Sequence, residues 1–316
     1  MFPPDVYQAE KKFLWGLCYR MTANAADAED IVQETFVRAM ERPPHNTSDP
    51  WRPWLISVAM NLSRDHLRWR RRRDYKGSWL PTPVLTEGQD EDILFELPPD
   101  SSQSPATRYD LTESISLAFL VALEALTPMQ RAVLLLRDVF DYSTLETAEV
   151  LKTSEANVKV VLHRARRAMQ EYDHKRLPVP QARQKVTQTT LERFVQCLAL
   201  RDAAGLEQLL TEGVVTFSDG GGEVPAAFAP IRGRDRVLRF FMALTNVQVT
   251  EPPTVSFQLV NGLPALVVEY AKPQPNRAQR FVLQCDVNEA GQIVQIHSIL
   301  APSKLKAVFG ALSEMS

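Results

Sequence analysis

From Glu87 to Asp100 the chain carries six carboxylates (Glu87, Asp90, Glu91, Asp92, Glu96 and Asp100) and no lysine or arginine. Such a stretch buries too little apolar surface to offset the entropy of ordering it, so it reads as an extended, solvated spacer. With its Pro- and Ser-rich flanks the spacer covers 77–107 and divides the 316-residue chain into parts that each need a core of their own. A second use of the same composition is an acidic tether seated in a positively charged channel of a partner.

The part before the spacer, 1–76, reads as helical. In ANAADAEDIVQETFVRAMERPP, Ala28, Ile31, Val32, Thr35, Phe36 and Ala39 recur at helical spacing, Asn24 is placed as an N-cap, and Pro43-Pro44 ends the helix. The opposite stripe is Asp30, Gln33, Glu34 and Val37, a solvated face or a docking face. In WRPWLISVAMNLSRDHLRWRRRR the apolar stripe is Trp51, Trp54, Leu55, Val58 and Leu62, while Asn61, Arg64, Arg68 and Arg71 share another face. The formal net charge of the whole chain is only -2, so this density of arginine is local. Trp69, inside the run, has no assignment from spacing.

After the spacer, 108–175 is helical again. Thr127-Pro128-Met129-Gln130 and Ser143-Thr144-Leu145-Glu146 are capping-box starts of two short helices. Ser154 then caps a third, with Val158, Val161, Leu162, Ala165 and Met169 inward and Asn157, Lys159, His163, Arg164, Arg166 and Arg167 outward. A capped helix, a short turn and a helix with a basic outer face form the helix-turn-helix pattern, whose second helix enters the DNA major groove.

A linker at 176–185 precedes a change of grammar over 186–300. Helical TLERFVQCLALRDAAGLEQLL and RGRDRVLRFFMAL alternate with β-rich VVTFS, TVSFQLV, LPALVVEY, RFVLQCDV and QIVQIHSIL, and Asn261-Gly262 is the strongest short hairpin signal in the chain. This predicts an α+β domain on a curved antiparallel sheet, followed by a tail at 301–316. Hydrophobic residues at 45% and charged ones at 23% are ordinary for a soluble globular protein, and no stretch is read as a leader or a membrane span. Cys18, Cys197 and Cys285 are widely separated and form no CxxC, so they read as reduced, buried thiols rather than metal ligands or disulfides.

DAEDIVQETF with WLISVAMNLSRDHLR resembles region 2 of the extracytoplasmic-function sigma factors of the sigma-70 family, and LTPMQRAVLLLRDVFDYSTLETAEVLKTSEANVKVVLHRARRAM resembles their region 4. The remainder resembles a SnoaL-like (NTF2-like) domain. Trp79-Leu80-Pro81-Thr82-Pro83, Asp219-Gly220-Gly221-Gly222 and Ala301-Pro302-Ser303-Lys304-Leu305 are similar to motifs of the sigma-factor group with this extension. The implied fold is two all-α sigma domains, the second a helix-turn-helix, followed by an NTF2-like α+β cone. Lys152 stands where most members have Gly, at a turn that wants φ > 0, a cost of about 1 kcal/mol. Thr82 and Ala301-Pro302-Ser303 also depart from the usual Glu and Asn-Pro-Asp.

The resemblance implies partners and roles. Asp30, Gln33 and Glu34 would meet the β′ clamp helices of core RNA polymerase, and region 4 its β flap. Asn61, Arg64 and Asp65 would hold the −10 non-template strand and a flipped base, with Arg68 to Arg73, including Arg71, on phosphates. Asn157, Lys159, His163, Arg164 and Arg167 would read the −35 element. Trp79, Pro81, Asp219, Gly220, Gly221, Gly222, Lys304 and Leu305 would make regulatory contacts between the SnoaL-like domain and the sigma regions, with DGGG and APSKL on one side and WLPTP on the other. No cofactor or metal is implied; the polymerase supplies catalysis and Mg²⁺. Two other readings stay open: a ligand-sensing DNA-binding regulator, with a small molecule in the SnoaL-like pocket, and an isomerase- or cyclase-type enzyme using Asp219, Tyr270, Asp286 and His297.

Overall fold

The computed structural model describes residues 3–44, 50–70, 75, 77–86, 107–175, 180–245, 251–272 and 277–314. Two compact units emerge, one built from 1–74 and 88–176, the other from 75–87 and 177–316. The acidic run at 87–100 lies outside the described residues.

The first unit is helical. α1 (Pro4–Thr22) and α2 (Ala25–Glu41) pack together with α3 (Trp51–Arg70). Asn24 caps α2 by accepting the Ala26 and Asp27 amides at 3.0 and 3.3 Å. Ala28, Ile31, Val32, Thr35, Phe36 and Ala39 are buried, as their spacing predicts. Trp51 and Leu55 anchor α3 in the core. α4 (Leu117–Ala122) and α5 (Pro128–Leu134) follow, and α5 runs on into a π-type turn over Leu135–Val139. Then come α6 (Thr144–Leu151), α7 (Glu155–Ala168) and α8 (Gln170–Lys175). Both capping boxes form, and Lys152 takes the left-handed conformation at φ 51° between α6 and α7. The turn therefore accepts Lys at the strain expected of a non-glycine residue there.

The helices before and after the acidic run share one core. Phe13 of α1 meets Phe140 edge-on at 5.5 Å, the Ser57 hydroxyl in α3 donates to the Val150 carbonyl in α6 at 2.8 Å, and Arg131 of α5 donates to the Met21 carbonyl at 2.9 Å. Arg20, fully buried, donates to the Ser114 hydroxyl and the Leu111 carbonyl.

The second unit holds α9 (Pro180–Leu200), α10 (Ala203–Leu209), α11 (Arg234–Thr245) and α12 (Pro302–Glu314) around a six-stranded sheet. Its strands are β1 (Leu210–Asp219), β2 (Ile231–Arg232), β3 (Thr254–Val260), β4 (Leu263–Glu269), β5 (Arg280–Val287) and β6 (Ile293–Ile299), in the order β2-β1-β6-β5-β4-β3. The expected all-antiparallel sheet is corrected to a mixed one, because β1 lies parallel to β6. Two strands far apart in sequence make that pairing, and strand patterning carries no information about it. Asn261 and Gly262, both at positive φ, close the β3–β4 hairpin.

One face of the sheet packs Leu266, Leu283, Cys285 and Ile296 against Leu191 and Phe194 of α9, Leu206 of α10 and Val237 and Phe241 of α11. Registers place Ala265, Gln284, His297 and Phe217 in a row on the opposite face. That second face is not solvent-exposed. Leu305, Val308 and Phe309 of α12 are buried, and Arg280 of β5 lies over the Phe309 ring at 4.9 Å.

Candidate functional site

Residues 77–86 were expected to be spacer and residue 75 part of the first helical segment, and here the structure corrects the sequence. The described residues of that segment belong to the second unit, and Leu80, Thr82, Val84, Leu85 and Thr86 are buried. At one end, the Leu80 amide donates to Asp219 Oδ2 at 2.7 Å. At the other, Val84 and Asn261 exchange hydrogen bonds, the Thr86 amide donates to the Leu259 carbonyl at 2.9 Å, and Leu85 bridges to Val260. Six residue steps at about 3.3 Å reach roughly 20 Å, and four strand spacings from β1 to β3 are about 19 Å. The segment is thus an extended strap across the sheet.

Three motifs, the first and last of which are joined by a bond across 224 positions of sequence, meet at the strap's first end. Asp219, fully buried, accepts from Tyr75 Oη, the Leu80 amide, the Gly221 amide and Lys304 Nζ. Lys304 Nζ also donates to the Leu80 carbonyl and lies 4.5 Å from the Trp79 ring centroid and 5.0 Å from that of Tyr75. Burying this cation is tolerable because its charge is met by a carboxylate, a carbonyl and two aromatic faces. Gly220 is required by space, since a Cβ there would stand 2.3 Å from the Val224 carbonyl oxygen. Gly221 and Gly222 are required by conformation, at φ 62° and 75°. Pro81 and Leu305 are buried beside them. Ser303, where the usual motif differs, donates its hydroxyl and amide to Glu223. WLPTP therefore joins DGGG and APSKL at one place, rather than standing on an opposite side.

Asp219, Tyr270, Asp286 and His297 do not converge on one chamber. Asp286 accepts from Arg183 at 2.8 Å, and its other oxygen lies 3.7 Å from His297 Nδ1, on the face away from the apolar core. Tyr270 belongs to the core cluster and accepts from Arg277. Both His297 nitrogens are buried without a hydrogen-bond partner among the described residues. Burial lowers the His297 pKa against the opposing pull of Asp286, which keeps the ring neutral. The three cysteines are buried free thiols; burial pushes the Cys18 thiol up to about 12, and Cys285 also rises.

In the first unit, Asp30, Gln33, Glu34 and Val37 are all exposed on α2, joined by Met40. Gln33 donates to Glu29 at 3.2 Å and Arg38 pairs with Glu34 at 2.8 Å, which spreads this stripe along a rigid helix. On α3, Arg64 donates to Asn61 Oδ1 at 3.2 Å and Arg68 to Asp65 Oδ1 at 2.7 Å. Asp65 and Arg68 are exposed, and Asn61 and Arg64 are half-buried. Burial and the neighbouring Arg68 lower the Arg64 pKa from its ordinary value. Arg71 lies outside the described residues. Trp69 is 47% exposed beside His66, whose imidazole stands 3.0 Å from Asp27.

On α7, Asn157, Lys159, His163, Arg164 and Arg167 are exposed on one basic surface. Arg166, expected outward with them, instead forms two hydrogen bonds at 2.9 and 2.6 Å to the buried carboxylate of Asp138. Its task is structural, because an uncompensated Asp138 would be a buried charge. Sequence reasoning missed Asn261 as the strap's second anchor; its hairpin signal was visible, its buried side chain was not.

Residues 6–73 match the family model for Sigma-70 region 2, and residues 116–169 match that for Sigma-70, region 4. The chain is 34% identical over 242 residues to the ECF RNA polymerase sigma factor SigJ of Mycobacterium tuberculosis, covering 76% of this chain and 72% of that protein. It is 30% identical over 304 residues to a probable ECF RNA polymerase sigma factor, SigI, of the same species, covering 95% and 93%. The crystal structure of M. tuberculosis SigJ superposes with a TM-score of 0.72 at 26% identity, over 96% of this chain and 99% of that one. The chain belongs to the extracytoplasmic-function sigma factors and carries, beyond regions 2 and 4, a C-terminal α+β domain.

Proposed function

We propose that this sigma factor, which binds core RNA polymerase and directs promoter-specific initiation, is restrained by its own C-terminal domain in place of a separate anti-sigma protein. One observation carries the proposal. Part of the linker between regions 2 and 4 is built into the C-terminal domain as a buried strap, while regions 2 and 4 share one core. The −10 and −35 elements lie about 25 base pairs apart, or about 85 Å at about 3.4 Å per pair. Helices in hydrogen-bond contact cannot occupy both, so initiation requires opening. Undocking the strap returns roughly 40 Å of contour length to the linker. Contacts that favour the closed form lower activity by their differential free energy.

Asp30, Gln33 and Glu34 dock the β′ clamp helices, as acidic and amide groups on a rigid helix suit a basic partner; region 4 takes the β flap. Asn61, Arg64, Asp65 and Arg68 hold the −10 strand, and Asn157, Lys159, His163, Arg164 and Arg167 read the −35 duplex. Guanidiniums supply affinity through phosphates, whereas base edges and unstacked bases supply specificity. The factor performs no covalent chemistry and acts in the cytoplasm with the polymerase. Asp30→Lys with Glu34→Lys should abolish co-purification with core polymerase while the melting temperature holds. Unchanged co-purification would remove the assignment.

A further inference from the structure

Within the arginine run that resemblance assigns to DNA phosphates, Arg68 pairs inside its own helix with Asp65, whereas Arg70 is held by region 4. Arg70, the last residue of α3, donates through Nη2 to both carboxylate oxygens of Glu124, at 2.7 and 2.8 Å, and through Nη1 to the Thr22 carbonyl at 2.7 Å. Glu124 belongs to region 4. It also accepts from Arg131 at 2.6 Å, and the Arg131 side chain is 1% exposed. Two guanidiniums from two different regions thus converge on one carboxylate.

Planar guanidinium groups bind carboxylate and phosphate through the same forked geometry. We infer that Glu124 is a built-in substitute for a backbone phosphate of the −10 strand, holding Arg70 out of DNA contact while regions 2 and 4 are closed together. This rests on the opening proposed above. When the regions part, Glu124 stays with Arg131, to which its own region ties it, and Arg70 leaves with α3. Arg70 then completes the basic track begun by Arg64 and Arg68. The carboxylate is well suited to the exchange: burial would raise its pKa, but Arg131 and Arg70 outweigh burial and hold it below the ordinary carboxylate value, so it is an anion at neutral pH.

The test is binding of a fluorescent single strand carrying the −10 sequence to the full-length protein, read by anisotropy across a salt series. Glu124→Gln should steepen the slope of log K against log salt by about 0.7 and tighten binding about fivefold at 0.1 M, as one added phosphate contact requires. The gain should vanish in Glu124→Gln with Arg70→Gln. Overturning results are unchanged affinity and slope in a folded Glu124→Gln protein, or a gain that persists without Arg70. If loss of the carboxylate beside buried Arg131 prevents folding, Glu124→Asp, which keeps the charge and shortens the reach to Arg70, serves under the same criteria. Core-polymerase co-purification of the same variants reports on the sigma-factor reading separately, since Glu124 is not on the α2 stripe.

Discussion

Lys304 Nζ stands 2.7 Å from Asp219 Oδ2 with both side chains buried, 85 positions apart in sequence, and the strap's Leu80 is bonded to each of them. The pair joins the last helix, the end of β1 and the inter-region linker in a single charged knot. Removing one partner of such a pair leaves an uncompensated charge, which is costlier than either group's exposed interactions.

Lys304→Met should therefore destabilise the second unit by about 3 kcal/mol, the lower end for a broken buried pair because Asp219 keeps its Tyr75 and amide donors. Hydrogen exchange at the Leu80, Val84 and Thr86 amides reads the effect. Faster exchange at these three amides is expected; parent-like protection would mean that the knot does not hold the strap.

Within α7 two neighbouring arginines should behave differently. Arg167→Ala should weaken binding to all promoters and lower the salt slope by about 0.9, with the melting temperature unchanged. Arg166→Ala should cost about 2 kcal/mol of stability, because it strands buried Asp138, and should leave the slope alone. Identical behaviour of the two variants would contradict the separation of roles.

Asn157→Ala should cost roughly 1–3 kcal/mol at one position of the −35 element and little elsewhere. Binding measured against single-base promoter variants checks this. A uniform loss across all variants would mark Asn157 as a backbone contact.

His297 sets a pH dependence. Its pKa is lowered in the folded state from 6.5, first by burial, with Asp286 opposing; Arg183, bonded to Asp286, faces the same cluster. The unfolded chain then binds more protons, so stability rises with pH up to about 6.5 and is lost as pH falls below it. Melting of the second unit should drop between pH 7 and pH 5.5, and His297→Gln should flatten that dependence. An equally steep profile in the variant would assign the effect to other groups.

The sequence was most legible where local chemistry decides. Capping residues Asn24, Thr127 and Ser143, the Asn261-Gly262 turn and the buried stripe of α2 each depend on neighbours a few positions away. The exposed stripes of α2 and α7 followed from the same periodicity. What failed depended on contacts across the chain. The WLPTP, DGGG and APSKL motifs could be named, but that one lysine would join all three is a tertiary fact. Glu124 and Arg131 look like ordinary surface residues in short helices, and only the packing of region 4 on region 2 makes them a buried network with Arg70. The strap read as solvated because prolines and acids surround it, whereas its buried part is the short apolar run within Leu80–Thr86.

The central claim is that regions 2 and 4, closed on each other in the free protein, are separated by the polymerase against the resistance of the strap. Spin labels at Ala9→Cys on α1 and Val160→Cys on α7, both exposed positions, report the distance directly, since the native thiols are buried and poorly reactive. Double electron–electron resonance should give a short distance in the free protein, a distance longer by tens of ångströms with core polymerase bound, and a partly lengthened population for Trp79→Ala without polymerase. A distance that stays short in a transcribing holoenzyme, together with a Trp79→Ala profile identical to the parent, would contradict the account.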